Sequence, residues 1–354
     1  MAISSATKTW RQFGARRRLL KKRQSGALWI VGSARITTLE SRRNLLPIQF
    51  LAMTTRQTRS FAGALRSALL VGALVTTRLV AQSSARGNLY IVGGGPQPAA
   101  LVREFVELAG GSGKARIVVF AMASADGKTS GEAKARDLRA LGADAVNLWV
   151  QRDGADADSI VRAVRNATGV WFGGGDQNRL TAALGGSRTA AAIGERYHAG
   201  AVIGGTSAGA AVMSAVMLTG DERRPGGLRP DSTLKLTTID RDNVVTEPGF
   251  GLIDNAIIDQ HFLRRRRTNR LVSLVLEREP HLGIGIDEST ALIVEPSGQW
   301  RIAGASVAVI YDARRSAITA PGATLGATGM TVHVLPAGGR FDPKTGVATL
   351  PGTR

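Results

Sequence analysis

The chain has 354 residues, is 44% hydrophobic and 21% charged, and contains no cysteine. That is enough chain for a sizeable buried core, and the lack of cysteine excludes a disulfide framework, a thiolate metal site and a cysteine nucleophile. The net charge of +19 suggests a polyanion partner, yet 15 of the 46 Lys and Arg and only one of the 27 acids, Glu40, lie in residues 1–85. The remainder is mildly basic, so nucleic-acid binding is not expected of it.

Residues 1–52 show no sustained period and carry basic clusters at Arg16–Arg18 and Lys21–Arg23. They read as a disordered or non-native extension. Residues 53–85 read as a secretory leader: Arg56, Arg59 and Arg66 precede a short apolar run at 68–75, with small residues at 83–85. The run is too short for a stable membrane anchor. It implies a secreted or periplasmic protein, or a cytoplasmic one if the leader does not function. The folded domain is expected over 86–354.

The body begins with a β-rich run at 88–92 that enters Gly93-Gly-Gly95-Pro96. A helix is expected over 98–109, a buried strand over 115–121, a helix over 131–141 and a strand over 145–150. A further helix over 157–166 leads to the strand 169–172, which enters Gly173-Gly-Gly-Asp-Gln177. Helices over 178–184 and 189–199 precede a strand at 201–203. Nearly all-apolar strands alternating with helices imply an α/β fold with a largely parallel sheet covered on both faces. Ligands of such sheets gather at the carboxyl ends of the strands, where both glycine triplets and Ser207 fall.

Gly205-Thr-Ser207-Ala-Gly209 has the nucleophile-elbow pattern, a strand turning sharply into a helix with a serine at the tip. Neither glycine triplet makes a nucleotide fingerprint. The second, at Gly173–Gly175, is read as a tight turn whose N–H groups complete an oxyanion hole beside Ser207.

A serine hydroxyl needs a base, usually a histidine oriented by a carboxylate. Of the four histidines, His198, His281 and His333 read as structural or surface residues. His261 closes an apolar strand at Asn255-Ala-Ile-Ile-Asp-Gln-His261, which aims a rigid polar tip into a cleft. The strand 282–286 ends in Asp287 and Glu288, and either acid can orient His261. Between them lie Arg264-Arg-Arg-Arg267 and Arg270, either a solvated face or a set of carboxylate clamps. The tail 299–350 reads as short strands and turns covering a sheet edge. An exposed edge also offers a homodimer face, and the oligomeric state stays open.

Four motifs in this order, Gly173-Gly-Gly-Asp-Gln177, Gly205-Thr-Ser-Ala-Gly209, Asp259-Gln-His-Phe262 with its arginines, and Gly283-Ile-Gly-Ile-Asp-Glu288, resemble those of the cyanophycinase family. These are serine peptidases on a class I glutamine-amidotransferase-like fold, grouped with aspartyl dipeptidases. The resemblance implies Ser207 as nucleophile, His261 as base and Glu288 as the orienting acid. The amides of Ala208 and of Gly174 or Gly175 would hold the oxyanion. Gln177, Asp259, Gln260, Arg265, Arg267 and Arg270 would line the substrate pocket, the arginines on a carboxylate and Asp259 on an amine or guanidinium. In aspartyl dipeptidases the acid follows the serine closely, a place Asp221 or Glu222 would fill. No metal or cofactor is implied. The implied reaction is hydrolysis of cyanophycin, a poly-aspartate bearing arginine on each side chain, to β-Asp-Arg dipeptides through an acyl-enzyme. The alternatives are a dipeptidase cleaving after N-terminal aspartate and a non-catalytic binding protein on the same scaffold.

Overall fold

A computed structural model describes residues 87–224, 227–229, 239–322 and 324–352. The basic extension 1–52 and the leader 53–85 lie outside the described residues, which all fall in one unit, Thr76–Arg354.

The first half alternates as expected: β1 (Leu89–Val92), α1 (Ala99–Leu108), β2 (Arg116–Phe120), α2 (Gly127–Ala140), β3 (Asp144–Asn147), α3 (Asp158–Asn166), β4 (Gly169–Phe172), α4 (Gln177–Leu184), α5 (Arg188–His198), β5 (Val202–Thr206) and α6 (Ala208–Ala211). Then come β6 (Val216–Arg224), β7 (Gly227–Arg229), β8 (Val244–Pro248), β9 (Ile257–Gln260), α7 (Thr268–Glu277) and β10 (Leu282–Ile286). The chain closes with β11 (Thr290–Val294), β12 (Trp300–Gly304), β13 (Val307–Asp312), β14 (Ala317–Ile318), β15 (Ala327–Thr328), β16 (Thr331–Pro336), β17 (Arg340–Asp342) and β18 (Val347–Thr349).

The main sheet runs β18-β17-β12-β11-β1-β5-β4-β2-β3. Its β1, β5, β4, β2 and β3 are mutually parallel, while β11, β12, β17 and β18 add antiparallel to the β1 edge. Strand alternation splits β1 between two cores. Tyr90 and Val92 join Phe105 of α1 and Leu138 of α2 on one face. Leu89 and Ile91 join Val164 of α3, Leu180 of α4 and Ile193 of α5 on the other. Each such fully buried side chain contributes roughly 1.5–3 kcal/mol, which is why the strands read as unbroken apolar runs.

The strand that leads to His261 does not join this sheet. β9 pairs in parallel with β10 inside a second sheet, β16-β13-β10-β9. One face of that sheet, with Ile258, Ile284 and Ile310, extends the core beneath α4 and α5. The other, with Ile257 and Val309, packs on Leu271, Leu274 and Val275 of α7. The Gly-Ile-Gly-Ile pattern of β10 follows from this packing. A Cβ at Gly283 would come within 2.4 Å of Val275 Cγ2, and one at Gly285 within 2.2 Å of Phe262 Cγ. The tail expected to cover a sheet edge adds β12, β17 and β18 to the main sheet and β13 and β16 to the second, while β14 and β15 pair with each other. Among the described residues no helix is long and apolar enough to cross a membrane.

Candidate active site

β5 ends in Gly-Gly-Thr, and the chain then reverses at Ser207, whose φ of 55° and ψ of −113° lie outside the regions an L-residue prefers. Two glycines permit the reversal. A Cβ on Gly205 would lie 2.5 Å from the Gly209 carbonyl, and one on Gly209 would lie 2.2 Å from that of Phe172. The Ser207 amide donates to Val92 O at 3.1 Å, fixing the tip against β1. The helix behind the serine, α6, has only four residues. Its local N–H groups, rather than a summed helix dipole, are what it offers a developing negative charge.

His261 follows β9 at a φ of 49° and is 6% exposed. Its amide donates to Gly93 O at 2.6 Å, joining the tips of β9 and β1. Its Nε2 lies 2.9 Å from Ser207 Oγ and its Nδ1 2.7 Å from Glu288 Oε1. A carboxylate only accepts, so Nδ1 carries the proton and Nε2 is left to accept from the serine hydroxyl. Burial lowers the His261 pKa below its ordinary value, and the Glu288 hydrogen bond opposes that shift; Arg265 and Arg267 lower it further. The imidazole is therefore neutral at pH 7 and free to take a proton.

The first glycine triplet shapes this pair from behind. Gly94, at a φ of +109°, leaves room for the imidazole: a Cβ there would stand 2.3 Å from His261 Cε1. A Cβ on Gly95 would stand 2.7 Å from Glu288 Cβ. Gly94→Ala is thus expected to displace the ring and lower kcat by roughly 100-fold, with a melting temperature showing the fold retained. Full activity in that variant would show the contact to be harmless. The triplet is visible in the sequence, but its neighbours more than 160 positions away are not.

The second triplet meets the serine from the other side. A Cβ on Gly174 would lie 3.4 Å from Ser207 Cβ. Among the described residues the amides of Gly174, Gly175 and Ala208 have no backbone acceptor. Gln177 is buried, and its Nε2 donates to Leu218 O and Thr219 O, both at 2.5 Å.

Of the four acids left open by the sequence, Glu288 is the one whose described side chain reaches the imidazole. Asp287 turns the opposite way, toward the backbone after His261. Asp221 is exposed on β6, and the Glu222 side chain lies outside the described residues. Asp259 is 1% exposed and is held by Arg270, through Nε to Oδ2 at 2.7 Å and a second bond from Nη2 to Oδ1. Arg267 Nη1 donates to Gln260 O at 2.7 Å and Gln260 Oε1 at 2.8 Å. Burial pushes the Arg267 pKa down to about 10, still fully charged at pH 7. Asp259, Gln260, Arg267 and Arg270 thus form one braced unit under the His261 turn. Arg264, Arg265 and Arg266 are exposed. His198 ends α5, His281 Nδ1 donates to Val275 O at 2.7 Å, and His333 lies on β16. Among the described residues no group of three or more His, Asp or Glu is arranged to hold a metal.

The profile of peptidase family S51 matches residues 91–300, a span that holds every residue of this cluster. The chain belongs to peptidase family S51. As an S51 member it is a serine-type peptidase acting on a peptide substrate. It is 33% identical over 215 residues to a cyanophycinase of Nostoc sp. (strain PCC 7120 / SAG 25.82 / UTEX 2576), covering 60% of this chain and 68% of that protein. It is 30% identical over 272 residues to a cyanophycinase of Geminocystis herdmanii (strain PCC 6308), covering 73% of this chain and 95% of the other. Among solved structures, a peptidase from an acI-B1 Actinobacterium superposes with a TM-score of 0.51 at 23% identity, covering 71% of this chain and 99% of that one. That likeness shows a shared fold, a largely parallel sheet between helices.

Proposed function

We propose that this S51 peptidase hydrolyses cyanophycin to β-Asp-Arg dipeptides, with Ser207 as nucleophile, His261 as base and Glu288 as the acid that orients it. The observation that carries the reading is the unbroken chain Ser207 Oγ–His261 Nε2–Glu288, at 2.9 and 2.7 Å, which is the geometry a serine nucleophile needs. The likeness to proteins named cyanophycinase supplies the substrate class.

In this reading Ser207 Oγ attacks the carbonyl carbon of a backbone peptide bond while its proton passes to His261 Nε2. The amides of Ala208 and Gly174 or Gly175 stabilise the oxyanion. Collapse breaks the C–N bond, and His261 delivers its proton to the leaving amine. Water, deprotonated by the now neutral His261, attacks the ester and regenerates the serine with release of a carboxylate product. Arg265 is the exposed cation beside this centre and holds a substrate carboxylate. Asp259 and Arg270 brace the site rather than touch substrate, because each already occupies the other.

The acid limb of kcat/KM reports loss of the His261 proton. Since burial lowers that pKa, the limb is expected to have its midpoint below about 6.5, with most of the activity present at pH 7. A pH–rate profile with the midpoint above 7 would remove His261 as the free-enzyme base.

The deciding experiment incubates the full chain with cyanophycin and, separately, with Asp-Leu, and identifies products by mass. Release of β-Asp-Arg is the expected result. Cleavage of Asp-Leu alone moves the activity to an aspartyl dipeptidase, and no product from either rejects both substrates.

A further inference from the structure

The turn that carries His261 is tied by backbone bonds only at its start, His261 N to Gly93 O at 2.6 Å and Phe262 N to Ile286 O at 3.2 Å, and the two amides that follow need another acceptor. After β9 the chain enters the turn at a φ of 49° on His261 and bends again at a φ of 52° on Arg266, both in the left-handed region that side-chain-bearing residues adopt at a cost. Within it, Arg265 N returns to His261 O at 2.8 Å and Arg267 N to Phe262 O at 3.0 Å. The amides of Leu263 and Arg264 find no carbonyl. Both donate instead to one oxygen of Asp287, Oδ1, at 3.2 and 3.0 Å. The other oxygen, Oδ2, accepts from Ser306 Oγ at 2.9 Å, which ties the carboxylate to the connection into β13.

Asp287 is thus fixed at both ends, and it sits one residue before Glu288. In the turn after β10 the two acids point to opposite sides, one to the imidazole and one to the backbone that presents it. We propose that Asp287 is a positioning residue, holding the turn so that the His261 ring stays between Ser207 and Glu288 and Arg265 stays beside them. This rests on the reading of Ser207 and His261 as nucleophile and base. A charged acceptor shared by two amides suits the task, since bonds to an ionised acceptor are stronger than neutral ones.

The test measures how fast a fluorophosphonate phosphonylates Ser207 in the full chain, with loss of fluoride, a reaction that needs the serine–histidine pair and no particular peptide substrate. If the unsubstituted protein is not labelled at Ser207, the underlying assignment of nucleophile and base fails. If it is labelled, Asp287→Ala is expected to slow labelling at least tenfold at a temperature well below its melting point. Asp287→Asn, which keeps an acceptor oxygen in place, is expected to lose only about threefold. A purely structural role lowers the melting temperature and leaves labelling of the folded protein unchanged. Labelling of folded Asp287→Ala within twofold of the unsubstituted rate overturns the proposal. Equal losses in the Ala and Asn variants also overturn it, by assigning the effect to the charge alone. Should Asp287→Ala not fold, Asp287→Ser, too short to reach both amides, carries the same comparison.

Discussion

Replacing Ser207 with alanine is expected to lower kcat by on the order of 10⁴-fold or more, and His261→Ala by a similar factor. The two losses should not add. Once either partner of the 2.9 Å contact is gone the other has nothing to act on, so the double variant should be no slower than the worse single one. The measurement is steady-state hydrolysis of cyanophycin by the three variants, with circular dichroism to show each is folded. If the Ser207→Ala protein keeps a tenth of the activity, another group is the nucleophile and the site has been misplaced. If the double variant shows the product of two independent losses, the residues do not work as a unit.

The second large effect concerns stability. Arg270→Leu leaves the Asp259 carboxylate, 1% exposed, without its two-bond partner. Arg267 stands 3.5 Å away and compensates in part, and the Gln260 amide still donates at 2.8 Å. A buried ion stripped of its main partner typically costs about 3–5 kcal/mol. Arg270→Leu is therefore expected to fall near the lower end of that range in urea unfolding. Asp259→Leu combined with Arg270→Leu should recover much of the loss, because an apolar pair of similar volume carries no desolvated charge. A loss under about 1 kcal/mol in the single variant would mean that water reaches the carboxylate readily, and the pair would not be the brace described above.

How much of this was legible in the sequence depends on how local each signal is. The strands and helices around the elbow were readable because fully covered parallel strands are apolar throughout. The turn at Ser207 was readable because its glycines sit two residues either side. Helix α2 begins at Gly127, four residues before the sequence suggests, because Gly127 and Gly131 weaken the helical signal. Packing demands both glycines: added Cβ atoms would lie 2.3 Å from Ala121 O and 2.2 Å from Asn147 Oδ1. The placement of β9 and β10 in a sheet of their own was not readable, since they carry the same apolar pattern as the strands of the main sheet.

The site followed the same rule. Adjacent acids at 287 and 288 are equivalent until the strand register is known, and the structure separates them by side. The pairing of Asp259 with Arg270 joins a strand tip to a helix eleven residues on, so a row of arginines looked available when one of them was already engaged. The run at Arg264–Arg267 likewise divides, with Arg267 turned inward on Gln260 and the rest exposed.

The cluster draws its parts from two sheets that share one core. Ser207 and the amides of Gly174, Gly175 and Ala208 follow strands of the nine-stranded sheet, His261 and the arginines follow β9 of the four-stranded one, and Glu288 lies in the connection from β10 to β11 that joins the two. The sheets meet where Gly93 receives the His261 amide. Substitutions on the β9–α7 turn can therefore change what surrounds the His261 imidazole while the strained loop at Ser207, built on the other sheet, stays as it is.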